Sequence, residues 1–224
     1  MTSLFANSAA AFLILALVAC GNASETTAET GEASFATDSA GQPAATDAGA
    51  GETSLQGDDV WAIDPAVSSV TFTAEQQGQE FTGEFGSFSA DIRLDPQDLS
   101  DAMISATIDM TSVDAGSTDR NDALPTNDWF AVKKFPEATF VSDEINSLGG
   151  DQYEAVGTLT IKDVSQPANL PFTLSIDGDT ATASGTLDLT RTDYNVGTGA
   201  YKDGKWVGLP VTVMVEITAT RQAI

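Results

Sequence analysis

Leu209-Pro-Val-Thr-Val-Met-Val-Glu-Ile-Thr-Ala219 decides the fold. Leu209, Val211, Val213, Val215, Ile217 and Ala219 alternate with Pro210, Thr212, Met214, Glu216 and Thr218. Successive side chains of a strand point to opposite faces, so this spacing puts the aliphatic residues on one face. On a helix the same residues would be spread around the axis. The segment reads as a half-buried β-strand.

The pattern recurs upstream. Val70, Phe72 and Ala74 alternate with threonines, and Ile104, Ala106, Ile108 and Met110 with Ser105, Thr107 and Asp109. Tyr153, Ala155, Gly157, Leu159 and Ile161 follow the same rule. So do Ala168, Leu170, Phe172, Leu174 and Ile176, then Ala183, Gly185, Leu187 and Leu189. Between Phe81 and Leu94 the phase changes: Phe81 and Phe85 share one parity, Phe88, Ala90, Ile92 and Leu94 the other. A one-residue slip flips every side chain, which predicts a bulge or sharp bend at Gly86-Ser87. Ala138 and Phe140, with a partner near Ile145, make another strand. Residues 118–134 resist the strand reading; a short helix or ordered loop fits, with Thr126 or Asn127 capping a turn that holds Trp129. About eight antiparallel strands, each with one apolar face, close into a barrel or fold into a sandwich.

The chain before these strands is different. Ala9 to Ala19 is uncharged and apolar, with Phe12, Leu13, Ile14, Leu15, Leu17 and Val18. It is shorter than the roughly 20 residues that span a bilayer and fits the apolar core of a secretory signal. Leu17-Val18-Ala19-Cys20-Gly21 resembles a bacterial lipobox, although residues 1–20 contain no Lys or Arg. The resemblance implies cleavage before Cys20, the chain's single cysteine, and acylation of its thiol. It also implies a periplasm-facing protein, tied to the membrane by its first residue. Gly21, rather than Asp, after the cysteine implies the outer membrane in a diderm bacterium. Residues 21–59 hold eight acidic residues, no basic ones, and only Phe35 and Leu55 as large apolar residues. Such a stretch buries too little apolar area to offset its ordering entropy and reads as a tether. The expected organisation is a signal peptide over 1–19, an acidic tether over 20–59 and one domain over 60–224.

That domain carries 25 acidic and 9 basic residues, a net charge of −16. The field repels phosphate backbones and argues against nucleic acid as a partner. With one cysteine no internal disulfide forms. The chain has no histidine, which removes a Ser-His-Asp triad, the usual zinc sites and imidazole acid–base catalysis. Asp95, Asp98 and Asp101 lack the spacing and glycine of a calcium loop. The glycines near 197 and 199 make no phosphate-binding fingerprint. The expectation is a protein that is not an enzyme and holds no metal or cofactor.

Six fragments in order then resemble one family. They are Trp61-Ala-Ile-Asp-Pro65 with Ser69-Val-Thr-Phe72, Phe81-Thr-Gly-Glu-Phe85 with Phe88, and Ile108-Asp-Met-Thr-Ser-Val113. Lys134-Phe-Pro-Glu-Ala-Thr-Phe140, Gly157-Thr-Leu-Thr-Ile-Lys162 and Leu189-Thr-Arg-Thr-Asp-Tyr194 with Val196-Gly197 continue the series. From about Trp61 to Ala219 the chain is similar to the YceI-like family. Asp163 and Asn195 stand where that family often carries glycine. The resemblance implies an eight-stranded antiparallel lipocalin-like barrel around a long isoprenoid chain of polyprenyl or quinone type.

By alternation alone, the inward residues either pack a filled core or line a cavity; the resemblance favours the cavity. The candidate lining is Phe72, Phe85, Phe88, Ile108, Met110, Phe140, Leu159, Phe172, Leu174, Leu187, Val213 and Val215, with Trp129, Phe130 and Phe135 framing the mouth. Arg191, Asp193 and Tyr194 either meet a ligand's polar head or form a structural ion pair before the last strand, and Asp119 and Arg120 carry the same two readings. The competing function is a filled-core barrel that serves as an envelope-stress or protein-interaction module without ligand.

Overall fold

The alternating segments all form strands. The structure, a computed structural model, describes residues 59–222. The signal peptide, Cys20 and nearly all of the tether lie outside the described residues. The strands are β1 (Val60–Ile63), β2 (Ser69–Gln76), β3 (Gln79–Phe85), β4 (Phe88–Asp95), β5 (Asp98–Asp109), β6 (Val113–Asp114), β7 (Glu137–Gly149), β8 (Gln152–Ile161), β9 (Val164–Asp177), β10 (Thr180–Thr190) and β11 (Pro210–Arg221). One helix, α1 (Thr118–Ala123), lies between β6 and β7.

The sheet closes on itself. Its order runs β1-β4-β5-β7-β8-β9-β10-β11, and β11 pairs back to β1, a ring of eight. All of these pairings are antiparallel. Strand β11 serves two partners. Its Thr212–Glu216 stretch pairs β2, and Ala219–Arg221 pairs β1. The opening strand pair thus splits along one edge, with β1 closing one end of the barrel and β2–β3 the other.

Phase changes in the sequence appear as physical breaks. Strands β3 and β4 are one run interrupted at Gly86-Ser87, where Gly86 N donates to Ser112 O (3.2 Å) and Ser87 O accepts from Asp109 N (3.0 Å). In β7, Ala138 and Phe140 are buried, and so is Ile145 of opposite parity. A register shift between Ser142 and Glu144 reconciles them. The segment after β6 is helical over six residues only. Its cap is Ser117, whose hydroxyl accepts from Arg120 N. At the Trp129 turn Thr126 takes part through its backbone carbonyl, which accepts from Trp129 N (3.1 Å), while its hydroxyl donates to Ala123 O (2.6 Å).

Candidate functional site

The inward faces do not meet at the axis. They leave a cavity of about 470 Å³ with a wall that is almost entirely carbon. Phe72 of β2 packs against Phe81 edge-on (6.2 Å between ring centres) and against Phe85 at 5.5 Å, and Phe85 continues to Phe130 at 6.1 Å. The Phe72 ring lies over Gly83, where a Cβ would stand 2.3 Å from its Cζ. A side chain at position 83 would push this ring out of place. Phe88 of β4, Ile108 of β5, Phe140 of β7, Leu159 of β8, Phe172 and Leu174 of β9, Leu187 of β10 and Val213 and Val215 of β11 complete the wall. Met110, in the 3-10 turn after β5, joins them.

Each end is built differently. At the β1 end Trp61 is buried, and its indole N–H donates to Leu94 O (2.9 Å) while the Arg221 guanidinium sits 4.4 Å from its ring centre. At the opposite end Trp129, Tyr194, Val196 and Val207 are buried around Arg191. Arg191 Nε donates to Gly208 O, Nη1 to Val196 O and Gly197 O, and Nη2 to Tyr201 O and Val207 O. Burial holds its pKa below the usual arginine value, partly offset by Asp203. Burial, helped by the Asp193 charge, pushes the Tyr194 phenol up. The wall turns polar beside α1, where Gln76, Asp119 and Arg120 line it. Arg120 Nε donates to Ala115 O (2.7 Å) and Nη1 to Gln76 Oε1 (3.2 Å), and its guanidinium lies 4.4 Å from the Phe81 ring centre.

The structure sorts the sequence candidates. All of the proposed lining residues stand on the cavity wall, and so do Trp129 and Phe130. Phe135 does not. The chain turns at Ala131 (φ 52°), whose carbonyl accepts from both Lys134 N and Phe135 N. That turn leaves the Phe135 ring half-buried outside the wall, with Lys134 Nζ 4.6 Å from its centre. Arg191 and Tyr194 border the cavity, but Asp193 between them is exposed and contributes only its carbonyl, to Gln166 Nε2. The ion pair considered for this cluster is not formed, because main-chain carbonyls already take the guanidinium. Sequence reasoning missed Trp61, Gln76 and Phe81, and left Asp119 and Arg120 open between a head-group contact and a structural role; all five line the wall. Trp61 and Phe81 lie in strands and were within reach of the alternation. Arg120 was not, since only the loop from Ala115 brings it to the wall.

The chain is similar to known proteins in sequence and in fold. The YceI-like domain model matches residues 61–219. A UPF0312 protein of Vibrio vulnificus is 26% identical over 148 residues, covering 62% of this chain and 78% of that protein. The crystal structure of BcnA from Burkholderia cenocepacia superposes with a TM-score of 0.68 at 37% identity, covering 70% of this chain and 99% of BcnA. A domain from Saccharophagus degradans described as polyisoprenoid-binding superposes with a TM-score of 0.60 at 16% identity, covering 72% and 98% of the two chains; at that identity the likeness is one of fold.

Proposed function

This chain belongs to the YceI-like family, and from that premise we propose that it is an extracytoplasmic, membrane-anchored carrier or store of a long-chain isoprenoid. The observation that carries the proposal is the hydrocarbon-walled cavity at the barrel axis. An apolar chain that loses about 500 Å² of water contact gains on the order of 12 kcal/mol at 25 cal/mol per Å². Ordering the ligand removes a large part of that gain. A wall with few directional groups selects mainly by length and width. An unbranched or prenyl tail of neutral chemistry fits it; a sugar or nucleotide does not. The Saccharophagus domain of the same fold is described as binding polyisoprenoid, which supports this ligand class. The role is binding rather than catalysis: the wall offers carbon, and its buried arginine is committed to carbonyls.

The anchor is the acylated Cys20. Two or three acyl chains at about 0.8 kcal/mol per buried CH₂ are enough to hold a protein on a bilayer. The acidic tether would let the barrel work above the periplasmic face of the outer membrane.

Organic extraction of the protein purified from membranes, followed by mass spectrometry, tests the ligand. A polyprenyl or quinone species near one per protein is expected, and an empty extract rejects the carrier. Cys20→Ser is expected to move the protein from the membrane to the soluble fraction. A variant that stays on the membrane removes the anchor.

A further inference from the structure

The barrel wall has a seam. Strand β9 pairs with β8 from Ile161↔Val164 to Gln152↔Thr173, and β10 pairs with β11 along its whole length. Between β9 and β10, however, the ladder runs only from Asp177↔Thr180 to Phe172↔Gly185. Beyond that point Val164–Pro171 and Thr186–Thr190 share no ladder pair.

The sequence of β9 explains the stop. Leu174 N donates to Asp151 O on the β8 side. Main-chain groups in a strand alternate sides, so residues of the other parity, including Pro167, Asn169 and Pro171, face β10. Proline has no N–H to give. Two of the three donors that would continue the ladder toward β10 are therefore missing. The strands part just past Gly185, the last point at which they lie close, where a Cβ would stand 3.1 Å from Pro171 O.

The parted strands form an outer groove lined by Gln166, Asn169, Leu187, Asp188, Leu189 and Tyr194, among others. Leu187, Leu189 and Tyr194 also line the central cavity. One layer of side chains thus separates groove from lumen. The groove's charged residues are Asp188 and Asp193; neither lysine nor arginine lines it.

Resting on the carrier reading, we propose that this seam is the head-group site, and that it takes an uncharged, oxygen-bearing head. A prenol hydroxyl or a quinone ring lies in the groove against the Asn169 amide and the β10 main chain. The prenyl tail passes Leu187 and Leu189 into the lumen. A polyprenyl phosphate is disfavoured, because its anion would face two carboxylates inside a domain of net charge −16. The mouth beside α1, where Arg120 stands, is not where the head sits.

The test uses the full-length protein purified from membranes and loaded in detergent from an equimolar mixture of one polyprenol and the polyprenyl phosphate of the same chain length. The ratio of the two in the extract is the readout. Wild type is expected to favour the alcohol. Asp188→Lys/Asp193→Lys, both at exposed positions, is expected to shift the ratio toward the phosphate by about fivefold or more, less at high salt. The milder Asp188→Asn/Asp193→Asn pair, for a case in which the lysines disturb folding, is expected to shift it the same way by a smaller factor. Asp119→Lys, at the other polar stretch of the wall, is expected to leave the ratio within about twofold. An unchanged ratio in both seam pairs, an equal shift with Asp119→Lys, or a wild type that prefers phosphate overturns the head-group assignment. Uptake of neither lipid by wild type would instead defeat the carrier reading itself, a distinct result.

Discussion

Arg191 uses every N–H that a guanidinium owns. Five donors meet five carbonyls, those of Val196, Gly197, Tyr201, Val207 and Gly208, at a residue only 3% exposed. The loop from β10 to β11 has little regular hydrogen bonding of its own, so this one side chain substitutes for a ladder. Gly197 is part of the same device: a Cβ there would stand 1.9 Å from Arg191 Nη1, and φ is +78°. Removing the guanidinium strands several buried acceptors, each costing a desolvation penalty. Arg191→Leu is therefore expected to lower unfolding stability by about 3–5 kcal/mol in urea titrations. Arg191→Lys, with three donors in the wrong geometry, is expected to recover less than half of that loss. A loss below about 1 kcal/mol in the leucine variant would mean that the loop holds without the clamp.

The turns of individual elements carry their own tests. Strands β8 and β9 are joined by Lys162-Asp163, with φ of 50° and 65°. A two-residue hairpin turn with both φ positive matches the twist of its strands but burdens residues with a Cβ. Lys162 is tied down there, its Nζ donating to Asn195 O (2.7 Å) and Asn127 O (3.2 Å), and burial holds its pKa below the ordinary value. Asp163 has no comparable tie among the described residues, so Asp163→Gly is expected to raise stability by about 0.5–1 kcal/mol, read as a higher urea midpoint with unchanged slope. Asn195, the other glycine-like position, adopts φ 55° at the end of its 3-10 turn without such strain, as asparagine tolerates. At the end of β6, Asp114 Oδ1 accepts from Asn121 Nδ2 (2.9 Å) and Gly116 N (2.8 Å), which hold its pKa below the ordinary carboxylate value. A carboxylate with a depressed folded pKa stabilises above its unfolded value and loses that contribution as pH falls through the folded one. Asp114→Asn is thus expected to melt below wild type at neutral pH, with the gap closing as pH drops below the ordinary aspartate range. A gap that persists into acid would place the effect elsewhere.

At the scale of the molecule the question is what occupies the lumen. In a filled core an added ring system costs about 1–3 kcal/mol through overpacking. A hollow lumen accepts the ring and loses the space. Leu159→Trp or Val213→Trp is expected to abolish isoprenoid uptake in the extraction assay, with a stability change under about 1 kcal/mol. Full uptake by either variant would show that the ligand does not run past those strands. The acidic field acts at the same scale: it governs which charged molecules approach the barrel and has little influence on how the barrel folds.

The strand pattern, the bend at Gly86-Ser87 and the inward identity of Phe72, Phe140, Leu159, Phe172 and Val213 were all readable along the chain. Alternation is local, and a pleated backbone leaves no other outcome for such a pattern. Leu209–Ala219 alone declared a strand with one greasy face. The chain could not declare which partners β11 would take, and so could not distinguish a ring from a sandwich without the family resemblance. Nor could it place Arg120 at the wall, turn Phe135 outward, or assign the Arg191 guanidinium to five carbonyls instead of Asp193. Those depend on where loops land once distant strands have paired. The lumen and the β9–β10 seam belong to the same class: one is what remains when eight strands close at a fixed radius, the other is where two prolines withhold donors from a neighbour 15 to 23 residues away in sequence. Sequence determines the face each residue shows; only closure of the sheet decides what that face looks upon.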